Sequence, residues 1–346
     1  MTTSIALTDT HETAREAARR AVELLQAGEV VALPTETVYG LAANAFDEAA
    51  VAKIFETKHR PRFDPLIVHL PSAEDLHRVA VLPKEIAHAV GRVCAEFWPG
   101  PLTLILPKTP AVPDLVTAGL STVAVRVSAH PVFTKVARTL GQPLAAPSAN
   151  RFGRISPTSA QGVMAELGGL IPLIVDGGAC HHGLESTIIR IEPGEKTKPH
   201  FHLLRPGPIT REQLREFGKV ILPKKGPTGQ HGFPEAPGQM ASHYAPATPL
   251  RLIEDAGEFR PEPQKTYALL SFRGDPQDGF MDLHPWKQVS ILSPGTGRLA
   301  EAAVRFFFVL RQLDESGADE IIAEPMSEAG LGLAMMDRLR RASVPR

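Results

Sequence analysis

Apolar and polar positions along this chain fall into blocks whose period switches between helix-like and strand-like. After the N-cap side chains of Thr8-Asp9-Thr10, the residues Ala14, Ala17, Ala18, Ala21, Val22, Leu24 and Leu25 form a helical stripe that stops at Gly28. The apolar run Val30-Val31-Ala32-Leu33 predicts a buried strand, and 48–57 predicts a helix leading to a strand at Leu66-Ile67-Val68-His69. Helical patterns follow near 72–79 and 83–96, and then Trp98-Pro99-Gly100-Pro101 makes a rigid turn. Short apolar runs at 102–106, 123–127, 144–146, 173–175, 187–191 and 202–204 alternate with helical segments near 131–140, 159–167 and 210–217. Such alternation predicts a mixed α/β domain with a large twisted sheet.

The pattern breaks over 218–248, where Lys224 to Gln230 is polar and contains glycine and proline. A second α/β pattern then predicts strands at 250–253, 266–271, 289–292 and 320–323, with helices at 298–313 and 332–341. The reading is a first domain over 1–217, a linker over 218–248 and a small three-layer unit over 249–346.

At 346 residues, two domains are the expectation. The net charge of -1 argues against a surface built for general nucleic-acid binding, though it leaves room for a local basic pocket. Two cysteines, Cys94 and Cys180, fit a reducing cytosol without a disulfide framework. The first residues lack the basic and apolar regions of a signal peptide, and no apolar run reaches membrane-spanning length, so a cytoplasmic protein without a membrane role is expected.

The chemistry-bearing residues sit where strands end. Pro34-Thr35-Glu36-Thr37-Val38-Tyr39-Gly40 follows the first predicted buried strand. Lys58, Arg60 and Arg62 cluster after a helix; they could serve its dipole or hold phosphate oxygens, and the cluster favours phosphate. His69 ends a strand and reads equally as a sheet-edge histidine or a site residue. Arg126 ends Val123-Ala124-Val125-Arg126, where a buried guanidinium needs a carboxylate from the chain or from a substrate, with the Thr122 hydroxyl close by in sequence. Ala146-Pro147-Ser148-Ala149-Asn150 reads as a turn, and no elbow or triad makes Ser148 a nucleophile. Ser156-Pro157-Thr158 opens a helix, a place for an anion, while Glu185-Ser186-Thr187 and Leu204-Arg205-Pro206-Gly207 add hydroxyls and a cation at strand ends. Cys180-His181-His182 is too closely spaced for a zinc site and reads as loop, and no Walker loop occurs.

Taken together, these motifs resemble the Sua5/YrdC/YciO family in its long, Sua5-type form. The resemblance spans nearly the whole chain: Pro34–Gly40, Lys58–Pro61, Pro65–His69, Trp98–Thr103, Val123–Arg126, Ala146–Asn150, Asp176–Gly178, Glu185–Ile188 and Leu204–Gly207. His243-Tyr244-Ala245-Pro246 is similar to the family's linker, and Gly330-Leu331-Gly332 with Asp337-Arg338-Leu339 to its C-terminal domain. Asp64 departs from the family's frequent Asn, and Gln239–Ser242 lacks the basic residues often found before the His-Tyr pair.

The resemblance implies a YrdC-like twisted open mixed sheet with flanking helices, plus a smaller Rossmann-like α/β domain. It implies synthesis of threonylcarbamoyl-adenylate from L-threonine, bicarbonate and ATP with Mg2+, releasing pyrophosphate. The product would pass to a threonylcarbamoyl transferase that modifies adenosine 37 of tRNAs reading ANN codons. By position, Lys58 and Arg60 would be catalytic. With Arg62 they would handle phosphates, and Thr122, Ser148, Asn150, Ser156, Arg205 and Tyr244 would line the nucleotide. Thr35, His69, Arg126, Ala146 and Ser186 would surround threonine, and the 218–248 linker would act as a lid bringing Tyr244 to the nucleotide. Phosphoryl and nucleotidyl transfer needs alignment and charge neutralisation more than a nucleophile, which suits the absence of an acid–base dyad. The other readings are a carbamoyl-adenylating enzyme, which usually carries extra domains, and an RNA-binding module; weak RNA binding could accompany the synthase.

Overall fold

The computed structural model describes residues 2–194, 198–222 and 235–345; the polar stretch from Lys224 to Gln230 lies outside them. The chain divides into two compact units. The first comprises 1–152, 157–181 and 185–239; the second comprises 153–156, 182–184 and 240–346.

The first unit holds eleven described strands: β1 Ser4–Leu7, β2 Val31–Leu33, β3 Gly40–Asn44, β4 Ile67–His69, β5 Leu102–Pro107, β6 Thr122–Arg126, β7 Leu144–Ala145, β8 Leu173–Asp176, β9 Thr187–Glu192, β10 His200–Arg205 and β11 Lys219–Ile221. They form one mixed sheet in the order β1-β8-β2-β3-β7-β4-β6-β5-β9-β10-β11. Its helices are α1 His11–Gln26, α2 Glu48–Lys58, α3 Leu76–Val79, α4 Lys84–Phe97, α5 Asp114–Thr117, α6 Pro131–Leu140, α7 Ala160–Leu167 and α8 Arg211–Arg215.

Local chemistry sets their ends. Thr10 caps α1 reciprocally with Thr13. Gly141 closes α6 in the left-handed conformation at φ 68°. His59 takes the same role after α2 at φ 51°, which turns the chain sharply after Lys58.

Two buried clusters lie on one face of the sheet. In one, Leu33, Ala42, Leu144 and Ala146 pack beneath Ala17, Ala21 and Leu25 of α1 and Phe133 and Val136 of α6. In the other, Ile67, Ile105, Ala124, Ile188 and Leu204 pack with Ala236. His69 and Arg126 are paired across β4 and β6 and share this face at the border between the clusters.

The stretch expected as linker divides. Lys219–Ile221 is a strand paired in parallel with β10. Ala236 belongs to the apolar cluster of the first unit, and Glu235 pairs with Arg190 at 2.5 Å. Thr248, by contrast, donates its N–H to Asp314 of the second unit.

In the second unit, β12 Leu250–Leu252, β13 Tyr267–Ser271, β14 Gln288–Ile291 and β15 Glu320–Ala323 form a parallel sheet in the order β12-β15-β13-β14. Helices α9 Leu299–Asp314 and α10 Gly332–Ala342 pack against each other and against the sheet. The expected third layer holds only two single-turn 3-10 helices, Ala256–Glu258 and Pro276–Asp278, among the described residues. Phe259, Phe280 and Trp286 from connecting loops cover Tyr267, Leu269 and Ile322 instead. Aromatic side chains bury enough area to do the work of a helix there.

Candidate active site

Arg126 is the centre of the arrangement. It is buried, and its guanidinium pairs with the carboxylate of Glu36 and donates to Thr37 Oγ1 at 3.2 Å. Glu36 also accepts from Ser128 Oγ at 2.5 Å. In sheet order β6 lies four strands from β2, about 19 Å at roughly 4.8 Å per strand. Glu36 stands only three residues beyond β2, a chain reach of roughly 10 Å, so the long Glu36 and Arg126 side chains close the rest of the gap. A turn built by Thr35 shapes the segment after β2: its Oγ1 donates to the Val38 carbonyl at 2.6 Å and accepts the Thr37 N–H at 3.1 Å.

The expected threonine-side residues gather here. Burial first, and then Arg126, push His69 well below its ordinary range, so the imidazole is neutral. Its ring packs against Phe133 at 4.8 Å, and its Nδ1 has no hydrogen-bond partner among the described residues. Ala146 donates its N–H to the Ile67 carbonyl at 3.0 Å on the same strip. Ser186 shares a 2.8 Å hydrogen bond with Thr103 Oγ1 and accepts from Arg205 Nη2 at 3.0 Å. Arg205, assigned from sequence to the nucleotide, thus stands beside Ser186.

A second group forms around the end of α2. Lys58 is buried, and its Nζ donates to the carbonyls of Ser148 and Asn150. Burial, then Arg60, hold it well below the usual lysine range. Arg60 donates to the carbonyls of Asp64 at 3.1 Å and Pro65 at 2.8 Å, and stands over the Phe152 ring at 5.9 Å. It also lies 2.8 Å from the buried Asp64 carboxylate, an ion pair without hydrogen-bond alignment. Burial pushes the Asp64 carboxyl up, while Arg60, Lys58 and Arg205 oppose that shift. Asp64 thus places a carboxyl group among Lys58, Arg60 and Arg205. Arg62 is exposed.

Thr122 begins β6, about 13 Å from Arg126 at roughly 3.3 Å per residue. Ser156 and Tyr244 belong to the second unit. There the Tyr244 ring lies 5.2 Å from the Arg338 guanidinium and 4.1 Å from the His243 ring. Among the described residues no group of three His, Cys, Asp or Glu side chains forms a metal cage.

Three participants escaped the residue-by-residue reading. Glu36 lies inside the first motif, and the demand of a strand arginine for a carboxylate pointed toward such a partner. Ser128 stands two residues beyond Arg126, the spacing that keeps a strand's side chains on one face. Thr103 sits in the Trp98–Thr103 motif and had no local signal.

Comparison with known proteins places the whole chain in a family. The Sua5/YciO/YrdC family model, described as telomere recombination, matches residues 23–207. The threonylcarbamoyl-AMP synthase C-terminal domain matches 209–344. A threonylcarbamoyl-AMP synthase of Pyrococcus abyssi is 39% identical over 337 residues, covering 94% of this chain and 93% of the relative. One of Bacillus subtilis is 40% identical over 332 residues, covering 94% and 92%. The structure of P. abyssi Sua5 complexed with L-threonine superposes with a TM-score of 0.83 at 36% identity, covering 99% of this chain and 98% of that one. The chain belongs to the Sua5/YciO/YrdC family and carries the C-terminal domain of the long form.

Proposed function

We propose that this chain makes threonylcarbamoyl-AMP from L-threonine, bicarbonate and ATP, with release of pyrophosphate. The observation that carries this reading is the near-complete superposition on a Sua5 structure complexed with L-threonine. The site chemistry supports it. Arg126, held by Glu36 and Thr37, is a positioned guanidinium suited to an amino-acid carboxylate, while Thr35 and Ser186 supply hydroxyls nearby. His69, held toward its neutral form, leaves Arg126 as the cation facing the substrate carboxylate.

Bicarbonate takes up a proton and loses water to give carbon dioxide, which threonine's neutral amine captures as a carbamate, releasing that proton; a carbamate oxygen then attacks the α-phosphorus as the bond to pyrophosphate breaks. A carbamate reverts readily, so holding both reactants in one water-poor place is the main requirement. Lys58 and Arg60 fix the Ser148–Asn150 and Asp64–Pro65 segments that would border the nucleotide, and Arg205 and exposed Arg62 add positive charge for its phosphates. Mg2+ would enter with ATP and supply charge neutralisation at its phosphates. The product would serve the N6-threonylcarbamoyl modification of tRNA through a transferase.

The test is pyrophosphate release from MgATP with bicarbonate, with and without L-threonine. Release that needs both threonine and bicarbonate is expected. Release driven by carbamoyl phosphate without threonine would replace this reading with carbamoyl adenylation.

A further inference from the structure

The turn that follows α2 buries a carboxyl group that makes no hydrogen bond. Asp64 is fully buried, and neither its Oδ1 nor its Oδ2 has a hydrogen-bond partner among the described residues. A buried polar group in that state is costly, and in a native site it needs a reason beyond packing. The turn holds it in place. Asp64 N–H donates to the Pro61 carbonyl at 3.2 Å, and Arg60 donates through Nε to the Asp64 carbonyl and through Nη2 to that of Pro65.

The charged groups facing Asp64 are Arg60 of its own turn, Lys58 at the end of α2 and Arg205 at the end of β10. Each of them directs hydrogen bonds elsewhere. Arg60 Nη2 lies 2.8 Å from Oδ2 but is aimed at the Pro65 carbonyl. Lys58 Nζ donates to Ser148 and Asn150 and also faces the Glu166 carboxylate, while Arg205 donates to Ser186. The carboxyl is therefore kept ionised by charge alone, and burial works against that charge by pushing its pKa up.

We propose that Asp64 is an exchangeable counter-ion of the nucleotide site: its carboxylate balances Lys58, Arg60 and Arg205 in the nucleotide-free protein and takes up a proton when a triphosphate binds. The proposal rests on the functional reading above, because it takes these cations to border the nucleotide's phosphates. Phosphate oxygens draw on the same cations, and a carboxylate left among them would repel the newcomer across a poorly screened interior. One proton from solvent bonds to an Asp64 oxygen, the group becomes a neutral acid, and the repulsion is removed. Uptake on binding fixes the sign of the pH dependence. Affinity for the triphosphate falls as pH rises, between the carboxyl's pKa in the nucleotide-free protein and its higher pKa in the complex.

The test is calorimetric titration of the full chain with MgATP from about pH 5 to 8, without threonine so that no turnover follows. Two buffers of different protonation enthalpy at each pH give the number of protons taken up. The wild type should take up a proton that Asp64→Asn, of the same shape, does not. Its Kd should rise with pH more steeply than the variant's, by up to ~10-fold per pH unit. At the alkaline end the variant should bind MgATP about tenfold more tightly than the wild type. Wild-type titrations decide the matter even without the variant: no proton uptake anywhere in that range overturns the proposal. So would equal uptake by both proteins, or weaker binding by Asp64→Asn, which would make the carboxylate a ligand of the nucleotide or its metal. MgATP that binds neither protein would refute the nucleotide reading itself, and the proposal with it.

Discussion

Arg126 and Glu36 show how the site is made from a residue that would otherwise be a liability. A guanidinium at the end of a buried strand is expensive to desolvate, and Glu36, Thr37 and Ser128 offset that cost by fixing its position. Removing one side of such a buried pair costs about 3 kcal/mol or more. Glu36→Gln, which keeps the shape and removes the charge, should therefore lower unfolding free energy by roughly that amount. Arg126→Lys keeps the charge but not the fork, and should reduce kcat/KM for threonine about 100-fold while leaving ATP binding near the wild-type value. Steady-state kinetics with each substrate varied would check the second expectation; an equal loss for both substrates would refute the carboxylate role.

His69 makes a separate pH prediction. Its folded pKa lies below the unfolded value, so the unfolded chain takes up the proton first as pH falls. The stability it preserves is present above about pH 6.5 and is lost as pH drops toward the folded pKa. His69→Gln should remove up to ~1.4 kcal/mol per pH unit of that acid-side slope. Urea unfolding of both proteins at several pH values below neutrality measures the difference, and parallel slopes would show that His69 is not the group responsible.

At the scale of elements, the helices and most strands were legible because their periods are clean. Helix α1 begins and ends where its cap and glycine predict, and the strands of the second unit lie within two residues of their predicted positions. Strand β3, Gly40-Leu41-Ala42-Ala43-Asn44, was not legible, because glycine and small residues carry little strand signal. It becomes a strand because β2 and β7 flank it in the sheet. The candidate site was legible to the same degree: motif residues stood out, but their pairing did not. That Glu36 meets Arg126 depends on the order of strands in the sheet, which no local pattern encodes.

The same limit hid the close approach at Gly207. A Cβ there would lie 2.5 Å from the Thr187 nitrogen and 2.6 Å from the Glu185 carbonyl. The Leu204–Gly207 segment must therefore press against the backbone that carries Ser186. Gly207→Ala should destabilise the chain by about 2 kcal/mol and cut threonine-dependent activity at least tenfold through displaced Ser186. Thermal unfolding together with the threonine KM checks this; a stability loss with unchanged KM would separate Gly207 from the site.

At the scale of the whole molecule, the Arg126 site couples the first unit's folding to its ligand. Arg126 and His69 end two strands of one sheet, Ala146 follows a third, Ser186 precedes a fourth, and Glu36 comes from the loop after β2. Unfolding the sheet scatters them, so threonine has nothing comparable to bind in the unfolded chain. A ligand at 100 times its dissociation constant then adds about 2.7 kcal/mol to the unfolding free energy. L-Threonine should therefore raise the transition temperature of the first unit in a concentration-dependent way, and Arg126→Lys should shift that response to much higher threonine concentrations. If threonine shifts the transition of the Arg126 variant as strongly as that of the wild type, the amino acid is held elsewhere. The convergence of Arg126, Glu36 and Ser186 would then be a device of folding alone.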